Sequence, residues 1–295
     1  MWILVSIFGY FLNAISSVVN KSLINKNIPN PVVYTFYISL LGLAVFVLAP
    51  FGLTLISWPL LLISFLSGAF FTYALLVMFI ALAKDDVSKV TPLIGGFQPV
   101  LVFLLAFLFL GERLSGAYII SLVLIILGGV LITWQKDKNK KGIKNIWGWI
   151  LLSSLLFAAS YVTTKFVFSN TDFISGFIWV RVGSFLAAAL FLLSAKNRQA
   201  IFKQTKQTKA KTSLVFLGGQ AAGALSAIMI NWAIFLGSVT FVNALQGLQY
   251  VFLFIMVVII SRWKPALLNE DMQRAVVVRK MIAILLILVG LFFIF

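Results

Sequence analysis

Long apolar runs alternate with short polar connections along nearly the whole chain. The runs fall near 2–20, 32–50, 57–83, 90–110, 115–134, 147–168, 173–194, 212–236, 240–261 and 279–295. At a helical rise of about 1.5 Å per residue, some 20 apolar residues cross the hydrocarbon core of a bilayer. The pattern predicts an all-α polytopic membrane protein with ten transmembrane helices and no separate soluble domain. Lipid offers no hydrogen bonds, so a polar side chain inside such a run must face protein or water.

Few residues interrupt the runs, and each is a candidate for the chemistry. Arg181 lies about eight residues into the seventh run, roughly 12 Å deep, with Trp179 close by. A guanidinium stays charged at physiological pH, so it requires a water-filled cavity, a polar partner or an anionic ligand. It either holds a carboxylate, phosphate or carbonyl of a solute, or it is structural and bonds nearby helix carbonyls. In the first run Asn13, Ser16, Ser17 and Asn20 recur at three- and four-residue spacing, which places a polar stripe on one helix face. Ser160 and Thr164 approach the end of the sixth run. Tyr73, Gln98, Gln220, Asn231, Trp232, Gln246, Gln249 and Tyr250 interrupt runs three, four, eight and nine. Amides suit a zwitterionic or hydroxylated ligand and the rings can stack on it. Hydrogen bonding between helices is the structural alternative for each. The candidate substrate-binding set is therefore Arg181, Asn13, Ser17, Asn20, Tyr73, Gln98, Ser160, Thr164, Trp179, Gln220, Asn231, Trp232, Gln246, Gln249 and Tyr250.

Composition narrows the function. The chain is 62% hydrophobic and 10% charged, against about a quarter charged in soluble domains. It contains no cysteine and no histidine, which excludes thiolate or imidazole metal sites and catalysis by either group. An intramembrane enzyme lacks its usual acid–base groups here, and no cofactor is expected. The acidic residues Asp85, Asp86, Glu112, Asp137, Asp172, Glu270 and Asp271 all fall at predicted helix ends or in loops. Proton antiport through an intramembrane carboxylate is thus disfavoured. The interior charge is positive, which favours an anionic or zwitterionic solute and uniport or exchange.

The net charge is +16, and its placement points to topology rather than to nucleic acid. Apart from Arg113, Lys165 and Arg181, the Lys and Arg residues lie in or beside odd-numbered connections. By the positive-inside tendency those connections face the cytoplasm, with both termini extracytoplasmic in the cytoplasmic (inner) membrane. The basic runs near 136–144 and 196–211 are expected to lie against anionic lipid. The start, Met1-Trp2-Ile3-Leu4, has no basic region before it and reads as a retained helix.

Five runs, a basic linker and five more suggest duplication. An offset of 144 places Leu12, Ala14, Ser16, Val18 and Lys21 on Leu156, Ala158, Ser160, Val162 and Lys165. An offset of 151 places Gly96, Gln98, Val100 and Phe103 on Gly247, Gln249, Val251 and Phe254. With an odd number of spans per half, the halves are inverted, an architecture frequent in secondary transporters. The expected division is a first five-helix repeat at 1–135, a basic cytoplasmic linker at 136–146 and a second repeat at 147–295.

These halves, the helix ends at Lys21 and Lys165, the motif Gly111-Glu112-Arg113-Leu114 after the fourth run and the glycine-rich Leu127-Gly128-Gly129-Val130 resemble the EamA-type members of the drug/metabolite transporter superfamily. The resemblance covers essentially the whole chain. It implies two four-helix groups around a central cavity, with the fifth and tenth helices packed outside. It also implies export or exchange of amino acids, other metabolites or drugs. Amino-acid export by alternating access is the leading expectation. A flippase or carrier for a lipid-linked sugar is the alternative, followed by a non-transporting intramembrane enzyme or receptor.

Overall fold

In the computed structural model the described residues are 1–24, 30–84, 87–133, 146–205, 210–263 and 274–293. The helices are α1 (Trp2–Ile24), α2 (Pro31–Gly42), α3 (Trp58–Leu82), α4 (Val87–Leu110), α5 (Gly116–Thr133), α6 (Trp147–Asn170), α7 (Phe173–Ala189), α8 (Ala195–Thr205), α9 (Ala210–Leu236), α10 (Val239–Ala244), α11 (Gln246–Trp263) and α12 (Arg274–Phe292). Short 3₁₀ segments, Leu43–Phe51 and Leu190–Leu193, prolong α2 and α7. Each predicted apolar run therefore falls on a helix or an adjoining pair. Among the described residues, seven segments are long and apolar enough to cross a bilayer, and Trp2–Val18 of α1 and Gly116–Leu131 of α5 are shorter apolar stretches. The chain is an all-helical, multi-pass membrane protein.

Two local features depart from the apolar pattern. The run predicted at 240–261 is broken at Leu245, between α10 and α11. The Asn243 side chain turns back to donate to the Val239 carbonyl (2.9 Å), and the Leu245 N–H donates to Phe241 (3.0 Å). The Asn243 Oδ1 also accepts from Gln98 of α4 (3.0 Å), a contact between helices that a hydropathy profile does not register. The basic stretch after α7 also folds, as α8. It buries Ile201, whose carbonyl accepts a bond from the Tyr37 hydroxyl of α2 (3.1 Å).

Packing pairs helices distant in sequence: α1 with α9, α3 with α6 and α7, and α5 with α12. Serines tie the first two pairs. Ser16 donates to the Gly219 carbonyl (2.8 Å), and Ser160 donates to the Ser67 carbonyl (3.0 Å). Ser226 donates to Gly9 (2.8 Å), and Ser153 donates to Ala74 (3.0 Å). From Ser16 to Ser160 and from Gly9 to Ser153 the step is 144, the sequence offset noted above; from Ser67 to Gly219 and from Ala74 to Ser226 it is 152. Between α3 and α7 the backbones touch. A Cβ on Gly68 would collide with the backbone of Val180 and Ser184, and one on Gly183 with that of Phe65. Small residues permit such approach in apolar surroundings, where dispersion and hydrogen bonds rather than hydrophobic exclusion hold helices together. The α5–α12 pair stands apart from the cavity described next.

Candidate substrate cavity

A cavity of about 340 Å³ lies among α1, α3, α6, α7, α9 and α11. Its apolar wall is Phe71, Leu75 and Met78 of α3 with Val180, Ala227 and Ile230, and polar side chains from α1, α6, α7, α9 and α11 interrupt it. Spacings of three and four place Phe71, Leu75 and Met78 on one helical face.

The structure brings Asn13, Ser160, Thr164, Arg181, Asn231, Gln246, Gln249 and Tyr250 to this cavity. Their hydrogen bonds divide them into two groups. Ser160 and Thr164 are occupied by α3: Ser160 bonds the Ser67 carbonyl, and the Thr164 and Ser67 hydroxyls stand 2.7 Å apart. Asn13 Nδ2 donates to Gln249 Oε1 (3.1 Å), and Gln249 Nε2 donates to Ser17 Oγ (3.2 Å). Ser17 in turn donates to the Asn13 carbonyl (2.8 Å), closing a small ring of bonds between α1 and α11. These residues shape the wall.

The second group retains capacity. Gln98 Nε2 donates to Asn243 Oδ1 (3.0 Å) and to Gln246 Oε1 (3.4 Å). That leaves the amide nitrogen of Gln246 without a partner among the described residues. Asn231 Nδ2 donates to the Ala227 carbonyl (2.8 Å), leaving its oxygen to accept. The guanidinium of Arg181 lies 5.0 Å from the ring centres of both Phe71 and Phe177 and makes no hydrogen bond to any described residue. The aromatic faces stabilise the cation without using its N–H groups. The Tyr250 hydroxyl is buried and unbonded, and it occupies the space that Gly95 leaves for lack of a side chain.

Ser17 and Gln98 thus stand behind the wall and position Gln249 and Gln246. Four candidates point elsewhere. Tyr73 meets Phe191, and the Trp179 indole donates to the Thr54 carbonyl (3.0 Å). Trp232 packs on Phe173 and Phe235. Gln220, although partly buried, does not line the cavity. The physical reason is helical phase: Tyr73 and Trp179 each stand two residues, about 200° of rotation, from the cavity residues Phe71 and Arg181. The side chain of Asn20 lies outside the described residues. Tyr161, Ser184, Ser226 and Phe71 also line the cavity, outside the candidate substrate-binding set. Serines and aromatics are frequent in these helices, and only the packing separates those on the inner face.

Lys165 of α6 lies against the end of α9, beside the chain reversal that follows it. Its ammonium donates to the carbonyls of Ile234 (2.8 Å), Phe235 (3.3 Å) and Gly237 (2.7 Å), capping the end of α9. A second hollow, about 440 Å³, opens beside it and includes Glu112, which accepts a bond from Thr240 (2.6 Å).

A multi-pass helical bundle around a central cavity that carries polar side chains fits the membrane transporter class. Residues 29–295 match the family described as Sugar transport protein, and the chain belongs to that family. A Listeria monocytogenes protein named "Putative sugar uptake protein" is 31% identical over 119 residues, covering 38% of this chain and 41% of its own length. A Listeria innocua protein of the same name matches to the same extent. The chain thus spans about two-fifths of the length of these relatives. A crystal structure of another protein superposes over 97% of this chain and 93% of its own, with a TM-score of 0.67 at 15% identity, a likeness of fold alone. The EamA-type resemblance is corrected to this extent: the transporter class stands, and the family matched is that of sugar transport proteins.

Proposed function

We propose that the protein is a carrier for small solutes of the sugar class in the cytoplasmic membrane, binding them in the central cavity. The observation that carries this reading is the set of open groups in that cavity: the Gln246 nitrogen, the Asn231 oxygen and the Arg181 guanidinium. A polyhydroxylated ligand both donates and accepts, and it can satisfy such groups as water leaves. Membership of a sugar transport family and relatives named for sugar uptake support the same class.

The finer architecture we propose is two inverted five-helix repeats, 1–135 and 147–295, joined by the basic linker 136–146, with basic connections and anionic lipid on the cytoplasmic side and both termini outside. The matched serine contacts of the α1–α9 and α3–α6 pairs support the duplication. The halves would rock about the cavity, as inverted repeats do in other secondary transporters.

Amino-acid export, the leading expectation from sequence, has one observation in its favour, the guanidinium of Arg181. Against it, no carboxylate among the described residues lines the cavity to receive an α-ammonium group. The test is counterflow in proteoliposomes preloaded with a sugar mixture or an amino-acid mixture. Labelled sugar accumulating in the first alone supports the proposal, and accumulation only of amino acids refutes it.

A further inference from the structure

Resting on the carrier reading above, we infer that this cavity selects sugars bearing a carboxylate, of the uronate or aldonate kind, over neutral sugars. Among the described residues Arg181 is the charged group of the cavity lining, and no carboxylate faces it there. It is held by ring faces rather than by hydrogen bonds, at 5.0 Å from Phe71 and from Phe177. Aromatic faces leave the planar fork of five N–H donors open, the geometry that takes a carboxylate through two parallel bonds. For a neutral sugar the same fork would be partly desolvated with no anion to offset it, which disfavours the complex. Gln246 and Asn231, a donor and an acceptor on the other wall, suit ring hydroxyls.

A phosphate would also recognise a guanidinium. A phosphomonoester carries a charge of about −1.5 to −2 near neutrality, and the cavity lining supplies one cation to meet it. A carboxylate carries one charge and is matched. A volume of about 340 Å³ is at the small end for ligand pockets, which suits a single sugar unit.

The experiment is uptake of labelled glucuronate and labelled glucose into proteoliposomes holding the full chain, with unlabelled glucuronate, gluconate, glucose and glucose 6-phosphate as competitors. The inference expects saturable glucuronate uptake, competed by gluconate roughly tenfold or more better than by glucose or glucose 6-phosphate. Arg181→Gln should weaken glucuronate uptake by a similar factor while narrowing its advantage over glucose. Arg181→Lys should recover part of it. The competition on unaltered protein needs no variant, so a misfolded Arg181→Gln leaves the inference testable. Glucose uptake that neither acid competes would overturn the inference and leave the sugar-carrier reading intact. Preference for glucose 6-phosphate would overturn the carboxylate. Uptake of none of these sugars, from folded protein, would overturn the carrier reading itself.

Discussion

Gly68 of α3 and Gly183 of α7 stand where two helix backbones meet with no room for a side chain between them. Their contact seats α7 against α3, and with it the geometry that sets Arg181 over Phe71. Gly68→Ala should therefore separate the helices and cost about 1–3 kcal/mol. Thermal unfolding in detergent would register the loss. A variant as stable as the parent would mean that α3 and α7 do not approach so closely.

The pairing of Asn13 with Gln249 ties α1 to α11 across the cavity wall. Interhelical hydrogen bonds within membranes couple by about 0.6 kcal/mol on average and rarely more than about 1.7. A double-mutant cycle with Asn13→Ala and Gln249→Ala should return a coupling in that range. Strictly additive losses would show that the two amides act independently.

Lys165 caps the end of α9 with its ammonium. Lys165→Met keeps most of the stem and removes the donor, so three carbonyls at a negative helix end lose a cation. The expected loss is about 1–2 kcal/mol, read as a lower unfolding temperature. Fraying of α9 detected by faster amide exchange near Phe235 would place the effect. Unchanged exchange there would count against the cap.

Asp172 begins α7 and accepts the Ser175 N–H (2.9 Å). Partial burial alone would raise its pKa, but bonds from the Ser175 backbone and hydroxyl, together with Thr171, hold it below the ordinary carboxylate value. A depressed folded pKa means that this contribution is present above the unfolded value and disappears as pH falls through the folded one. Asp172→Asn should thus resemble the parent more closely in acid than at neutral pH. Asp172→Ala should cost about 1 kcal/mol at neutral pH. A difference that persists undiminished into acid would argue against the carboxylate cap.

Much of this protein was legible from local sequence. The bilayer acts on each run of some 20 residues separately, so apolar length alone determined an all-helical membrane protein, and the cost of an uncompensated charge singled out Arg181. The amides Asn13, Asn231, Gln246 and Gln249 were legible for the same reason. Tertiary structure decided what those residues do. Whether Ser160 and Thr164 face a ligand or another helix depends on Ser67, more than 90 residues away. Whether Tyr73, Trp179 and Trp232 look inward depends on helical phase relative to neighbours. The free edge of the Arg181 guanidinium likewise follows from partners that only packing supplies. Hydrophobicity is additive along a chain, whereas the satisfaction of a polar group belongs to the set of helices that surround it.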